Sequence, residues 1–263
     1  MIDLKRSTMH IQIVSDLHLE FEENRQWLKG NPLIPVGEVL LIAGDIVTDQ
    51  LGHLADDFYA SLTPKFPLIV TTMGNHEFYG GYLDYAYPSY EKKLGNNILK
   101  LNNAVHIHQD VKFIVSILWS RVSDENKGLI KNKLSDYHQI KSHSPEKINI
   151  SVDDTNRLHR LSLDFIIKEL EKPFDGKTVV MTHHIPSFET IGLDRRFSKI
   201  REAFCTDLED VMQEHPQIKL WVHGHAHDFS RIKLHNTIVT RNPLGYVNRE
   251  EHLDFRRDYI VEI

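Results

Sequence analysis

Carboxylates and histidines stand in short clusters along this chain: Asp16-Leu17-His18, Gly44-Asp45, Gly74-Asn75-His76-Glu77, His183-His184 and His223-Gly224-His225-Ala226-His227. Carboxylate, amide and imidazole donors without a thiolate suit borderline divalent ions such as manganese, iron or zinc, rather than a cysteine-based structural zinc. Spacing supports that chemistry. Asp16 and His18 are two residues apart, as are His225 and His227, so an extended backbone points both members of each pair the same way. Gly44, Gly74 and Gly224 permit the sharp turns that draw backbone around a small site. Each cluster alone has a plain reading, since an Asp at a strand end serves as a turn residue or helix N-cap. Five of them, each following an apolar run, exceed what independent turn chemistry would place.

Those apolar runs are the elements that must position the clusters. His10–Ser15, Glu38–Ala43, Pro67–Thr71, Lys177–Thr182 and Ile218–Val222 are rich in Val, Ile and Leu and short enough to be strands. Their carboxyl ends form the edge where open α/β sheets bind ligands. Gly52–Leu62 has helical spacing, and a second helix is expected over Tyr82–Lys93, interrupted or kinked by Pro88. Strand, helix, strand in repetition predicts an α/β fold with a buried, largely parallel sheet. Ile98–Leu101, Val105–Ile107, Val111–Leu118, Arg231–Thr240 and Tyr259–Ile263 resemble hairpins, so two sheets packed together with helices outside are expected. Met1–Thr8 reads as a loose lead-in, Arg121–Asn156 as a polar insertion and Arg157–Glu171 as a firmer helix. With no repeat and no break in composition, one domain over residues 1–263 is predicted, with the insertion as a cap.

The chain has 263 residues, 41% of them hydrophobic and 26% charged, enough apolar material for a sizeable core. No apolar run approaches the roughly 20 residues of a membrane span, and the start lacks the apolar stretch of a signal peptide. A single cysteine, Cys205, excludes an intramolecular disulfide framework and fits a reducing, cytoplasmic setting. Net charge is −6, from 31 Lys and Arg against 37 Asp and Glu. That balance, with no basic stripe interleaved with aromatics, disfavours a nuclease.

Asp16-x-His18, Gly44-Asp45, Gly74-Asn75-His76-Glu77, His183 and Gly224-His225-x-His227 together resemble the motif series of calcineurin-like metallophosphoesterases, in the family's order. The resemblance implies a four-layer α/β/β/α sandwich with two metals at the sheet edges. It implies that Asp16, His18, Asp45 and His227 hold one ion, and that Asp45 bridges to a second completed by Asn75, His183 and His225. His76 resembles the catalytic histidine that contacts phosphate and protonates the leaving oxygen. His183 is taken as ligand ahead of its neighbour His184, because the His-His-x-Pro run resembles the family's; His223 is read as a strand-end residue or a support to the ligands.

Two departures from the family pattern bear on activity. Where the Ser/Thr protein phosphatase branch has Asp-Arg-Gly, this chain continues Asp45-Ile46-Val47-Thr48-Asp49-Gln50-Leu51, so protein phosphatase activity is disfavoured. Asp49 is read either as a carboxylate orienting His76 or as an N-cap of the following segment. Asn242-Pro243-Leu244-Gly245-Tyr246 resembles a loop near the site in some bacterial-type members and equally a plain turn. Two divalent ions sharing a hydroxide would align it for in-line attack on phosphorus. Two carboxylates against two such ions leave a net positive well for an anionic phosphate.

The expectation is a hydrolase of small phosphomonoesters or phosphodiesters, with manganese, iron or zinc. A scaffold of the same fold that has lost catalysis is the alternative, opposed by the retention of His76. His138, His143 and His159 are read as surface groups or leaving-group contacts, and Trp119 and Tyr79 as packing residues or ring-stacking ones.

Overall fold

The apolar runs pair into two six-stranded sheets in the computed structural model, which describes residues 8–83, 89–142, 148–192 and 196–263. The strands are β1 (His10–Val14), β2 (Val39–Ile42), β3 (Leu68–Thr71), β4 (Tyr82–Leu83), β5 (Tyr90–Lys93), β6 (Ile98–Asn102) and β7 (Ala104–His108). They continue with β8 (Val111–Val115), β9 (Lys141–Ser142), β10 (Lys177–Met181), β11 (Ile218–Val222), β12 (Ser230–Leu234), β13 (Thr237–Arg241) and β14 (Ile260–Glu262). The helices are α1 (Glu22–Gly30), α2 (Asp56–Leu62), α3 (Lys127–Lys133), α4 (Asp136–Gln139), α5 (Val152–Leu170) and α6 (Glu209–Glu214).

One sheet runs β14-β1-β2-β3-β6-β5 and the other β12-β13-β11-β10-β8-β7. The inner strands of each are parallel and the outermost antiparallel. Alternation along each strand explains the layering. Ile11, Ile13, Val39, Leu41 and Val70 meet Val111, Phe113, Val115, Val179, Met181 and Val222 in the core between the sheets. Opposite-phase residues face the helices: Val14, Leu40 and Ile42 pack with Leu28 of α1 and Leu62 of α2. On the other side, Ile114, Val180 and Trp221 pack with Ile166 and Leu170 of α5 and Met212 of α6. Burial on both faces is why these strands read as unbroken apolar runs, each such side chain contributing about 1.5–3 kcal/mol. The result is the helix/sheet/sheet/helix sandwich expected.

Three local expectations need correction. Tyr82–Lys93 is not helical where described: β4 pairs with β9, and β5 is an antiparallel edge strand on β6, with residues 84–88 outside the described residues. The Tyr-Glu-Lys-Lys run of β5 is mostly exposed, and the charges that suggested a polar helix face are those that protect a sheet edge. The segment before α2 is a 3-10 run over Asp49–Ala55 with a break at Leu51, so α-helix begins only at Asp56; Gly52 in that stretch weakens helix formation. Conversely α5 starts at Val152, ahead of Arg157, because Ser151 and Asp154 form a reciprocal capping box. Most of the lead-in read at Met1–Thr8, and His143, lie outside the described residues.

The polar stretch 121–156 carries α3, α4 and β9. Ile130, Tyr137, Ile140 and Ile150 from it pack against Met73 and Trp119 in a cluster of their own. That packing sets α4 beside the turn after β3.

Candidate metal centre

The carboxyl ends of β1, β2, β3, β10 and β11 deliver all five polar clusters to one place. The backbone there is not relaxed. Asp16, His18, Asp45 and His225 have φ of 52°, 47°, 52° and 70°, a region costing a non-glycine residue about 1–3 kcal/mol and concentrated at functional sites. Two glycines make room for the approach. A Cβ on Gly74 would stand 2.1 Å from Asp45 Oδ1, and one on Gly224 would stand 2.7 Å from Asp16 Oδ2.

Three donor groups result, with the ligand atoms of each within 4.8 Å of one another: Asp16, His18 and His227; Asp45, His183 and His225; and His18, Glu20 and His76. The buried Asp45 carboxylate stands between the first two. Its Oδ2 lies 3.4 Å from His183 Nε2 and 4.0 Å from His18 Nε2, and its Oδ1 accepts the His76 backbone N–H at 2.9 Å. His18 Nε2 and His227 Nε2 face each other at 3.2 Å. Nitrogens that close share a single proton or coordinate one cation together. His183 Nε2 is 3.1 Å from Asn75 Oδ1, and His225 Nε2 is buried with no hydrogen-bond partner. Convergent oxygen and nitrogen donors, with an orphaned buried imidazole nitrogen among them, fit a pair of divalent cations.

Behind these ligands stand partners that hold them. His183 Nδ1 meets the Ala43 carbonyl at 2.8 Å, and His227 Nδ1 meets Glu251 Oε2 at 2.5 Å. The Asp16 carboxylate accepts the His225 backbone N–H at 2.9 Å. Asn75 Nδ2 donates to Asp136 Oδ1 at 2.8 Å, which turns the amide oxygen toward His183. Tyr79 donates to the same Asp136 oxygen at 2.6 Å and stacks on His76 at 4.1 Å. Glu77 accepts from the backbone N–H groups of Asp45, Ile46 and Gly74, tying the turns after β2 and β3 together.

Glu20 supplies the orientation of His76 for which Asp49 was considered. Glu20 Oε1 is 2.9 Å from His76 Nδ1 and 3.1 Å from His18 Nδ1. Asp49 pairs instead with Lys100 at 2.9 Å. The other ring nitrogen of His76, Nε2, is 3.3 Å from the Tyr246 hydroxyl.

The electrostatics follow from this packing. Burial would raise Asp45, but His183, His76 and His18 hold its carboxyl well below the usual range. Burial would lower His183, yet Asp45 and then Asp16 raise it to about 10. His76 is likewise raised to about 9, Asp45 and Glu20 outweighing burial, while Glu20 falls to about 2 through its two histidines. His225 is pushed well down by burial and by the nearby His184 and His183, which together outweigh Asp45.

The remaining sequence candidates separate. His184 is buried, its ring 4.2 Å from that of His225, with Nδ1 unpartnered. His223 is buried with Nδ1 against the Gly224 carbonyl. His138 is exposed, whereas His159 is buried with Nδ1 on the Trp119 carbonyl, a structural role rather than a surface one. Trp119 is buried against His184 and Phe78. Glu20, Asp136 and Glu251 were not singled out from sequence, whereas Tyr246 ends the Asn242-Pro243-Leu244-Gly245-Tyr246 run noted there.

Candidate metal ligands gathered at the strand ends of a four-layer sandwich are the mark of a metallophosphoesterase, a hydrolase of phosphoric ester bonds. The chain belongs to the calcineurin-like phosphoesterase family, whose model matches residues 9–229. An uncharacterized protein of Acanthamoeba polyphaga mimivirus is 28% identical over 270 residues, 93% of this chain and 94% of that one. Among solved structures, the chain is similar to phosphopantetheinyl hydrolase from Mycobacterium tuberculosis, with a TM-score of 0.66 at 16% identity over 96% of this chain and 95% of that one. A dimetal phosphatase from Danio rerio gives a TM-score of 0.52 at 11% identity over 97% and 91%. No helix among the described residues is long and apolar enough to cross a membrane.

Proposed function

We propose that this chain hydrolyses small phosphomonoesters or phosphodiesters at a centre of two divalent ions, with His76 as the proton donor. Asp16, His18, Asp45 and His227 would hold one ion and Asp45, Asn75, His183 and His225 the other. Oxygen and imidazole donors suit manganese, iron or zinc. The observation that carries the reading is the buried Asp45 carboxylate, set between the two donor groups at 4.0 Å from His18 Nε2 and 3.4 Å from His183 Nε2.

When bound, the ions would supply Lewis acidity toward the phosphoryl oxygens and lower the pKa of water. The chain does the rest. Glu20 and the stacked Tyr79 fix the His76 ring, so Nε2 faces the cleft beside the Tyr246 hydroxyl. As a water oxygen bonds to phosphorus and the ester P–O bond breaks, the proton on Nε2 goes to the departing alkoxide; a proton from that water restores the ring. Asp136 keeps the Asn75 oxygen turned inward during the cycle. Stretch 121–156 acts as a partial cap, because α4 supplies Asp136.

Manganese-reconstituted protein assayed across model mono- and diesters, then nucleotides, tests this directly. His76→Ala should lose about 10²–10⁴-fold in turnover of alkyl esters while keeping both ions. Unchanged turnover in that variant would remove His76 as the acid.

A further inference from the structure

Two cavities meet at His76. The smaller, about 190 Å³, is the cleft over the donor atoms, reaching Asp45, Asn75, His225 and His227. The larger, about 590 Å³, adjoins it at the His76 ring and is walled in part by Phe21, Leu51, Tyr79 and Tyr246. His76, Tyr79, Ser135, Tyr246 and Arg249 line both. Size separates their roles. Pockets for organic ligands run from about 300 to 1,000 Å³, which includes the larger cavity and leaves the smaller one suited to a phosphoryl group. Among the described residues, the smaller cleft is lined by Lys133 and Arg249 together with Asp45, Asp136 and Glu251, so the two cations are the groups there able to grip a phosphoryl oxygen. The Arg249 guanidinium lies over the Tyr246 ring at 5.0 Å, at the junction of the two spaces.

We propose a substrate site in two parts: the cleft takes the phosphoryl group, gripped by Arg249 with Lys133 also on its rim, and the larger cavity takes a ring-bearing leaving alcohol. This rests on the phosphoesterase reading above. A histidine that protonates the leaving oxygen must stand where phosphorus and alcohol part. The alcohol then extends past His76, and the space beyond His76 is the larger cavity. Its aromatic wall, with Phe21 and Tyr246 edge to face at 5.4 Å, favours a flat ring over a sugar or a short alkyl chain. The substrates best matched are therefore phosphoesters of nucleoside-sized or aryl alcohols, with seryl and threonyl phosphates and inorganic polyphosphate poorly matched.

Two phosphonates that cannot be hydrolysed, methylphosphonate and naphthylmethylphosphonate, test this by calorimetry on the manganese-loaded protein. The naphthyl probe should bind at least roughly tenfold more tightly, about 1.4 kcal/mol per tenfold. Leu51→Trp, at a position 38% exposed, should fill the cavity and erase that advantage, leaving methylphosphonate within about twofold. Gln139→Trp on the same cavity should do likewise, which guards against a folding artefact in either variant. Arg249→Ala should weaken both probes by about tenfold, as expected when a charged group loses its hydrogen-bonding partner. Equal binding of the two probes, an advantage surviving both tryptophans, or no binding of either at millimolar concentration overturns the proposal. A protein that binds the naphthyl probe as described yet hydrolyses neither aryl nor alkyl phosphates would keep this site and lose the phosphoesterase reading.

Discussion

The Glu20 carboxylate stands 2.9 Å from Nδ1 of His76. Its same oxygen reaches Nδ1 of His18 at 3.1 Å, so one acid aligns the proposed proton donor and a proposed metal ligand. Glu20→Gln should therefore lower turnover by about 10–100-fold while both ions stay bound, the range typical of residues that orient ligands. Asp49→Asn, which touches Lys100 instead, should leave turnover within about twofold. Steady-state kinetics with metal analysis checks both; equal losses in the two variants would contradict the assignment.

The same pair sets a pH dependence in the metal-free protein. His76 sits at about 9 against an ordinary 6.5, so its stabilisation is complete below pH 6.5 and lost as pH rises through 9. Glu20 sits at about 2 against 4.5, so its stabilisation is complete above pH 4.5 and lost as pH falls toward 2. Thermal melts of chelator-treated protein should fall off on both flanks; Glu20→Gln should lessen the acid flank and only part of the alkaline one, where Asp45 still raises His76 and His183. Nitrogen chemical shifts of His76 should report a lower pKa in that variant.

Much of this centre is legible in the sequence because parallel strands end in it. A buried strand is an unbroken run of Val, Ile and Leu, and a donor residue shortly past its end lies at the sheet edge, as Asp16, Asp45 and His183 do. Glu20, Asp136 and Glu251 were hidden because they reach the site from a loop, a short helix and a 3-10 turn, where an acidic residue is ordinary. Tyr82–Lys93 misled for the opposite reason. Charges on an edge strand and charges on a helix face differ only in period, and four residues of β5 are too few to show it.

Gly74→Ala places a methyl 2.1 Å from Asp45 Oδ1 and displaces the carboxylate between the two donor groups. Metal content should drop below one ion per chain with the circular dichroism spectrum unchanged. Gly52→Ala, which meets nothing within 4 Å, should bind metal as the parent does. A Gly74→Ala protein retaining two ions would show that the carboxylate can move without loss.

Asp136→Ala removes the acceptor that turns Asn75 inward and that anchors Tyr79. Affinity at the proposed Asn75, His183 and His225 position should weaken by about 10–100-fold, with that at the proposed Asp16 position little affected. Manganese titration followed by electron paramagnetic resonance distinguishes the two. A uniform loss at both positions would assign Asp136 to folding alone.

Anomalous diffraction from crystals of the manganese-reconstituted protein addresses the central claim most directly. Two peaks are predicted, one against Asp16, His18 and His227 and one against Asn75, His183 and His225, both touching the Asp45 carboxylate. A single peak, peaks that avoid Asp45, or none at saturating manganese would contradict it.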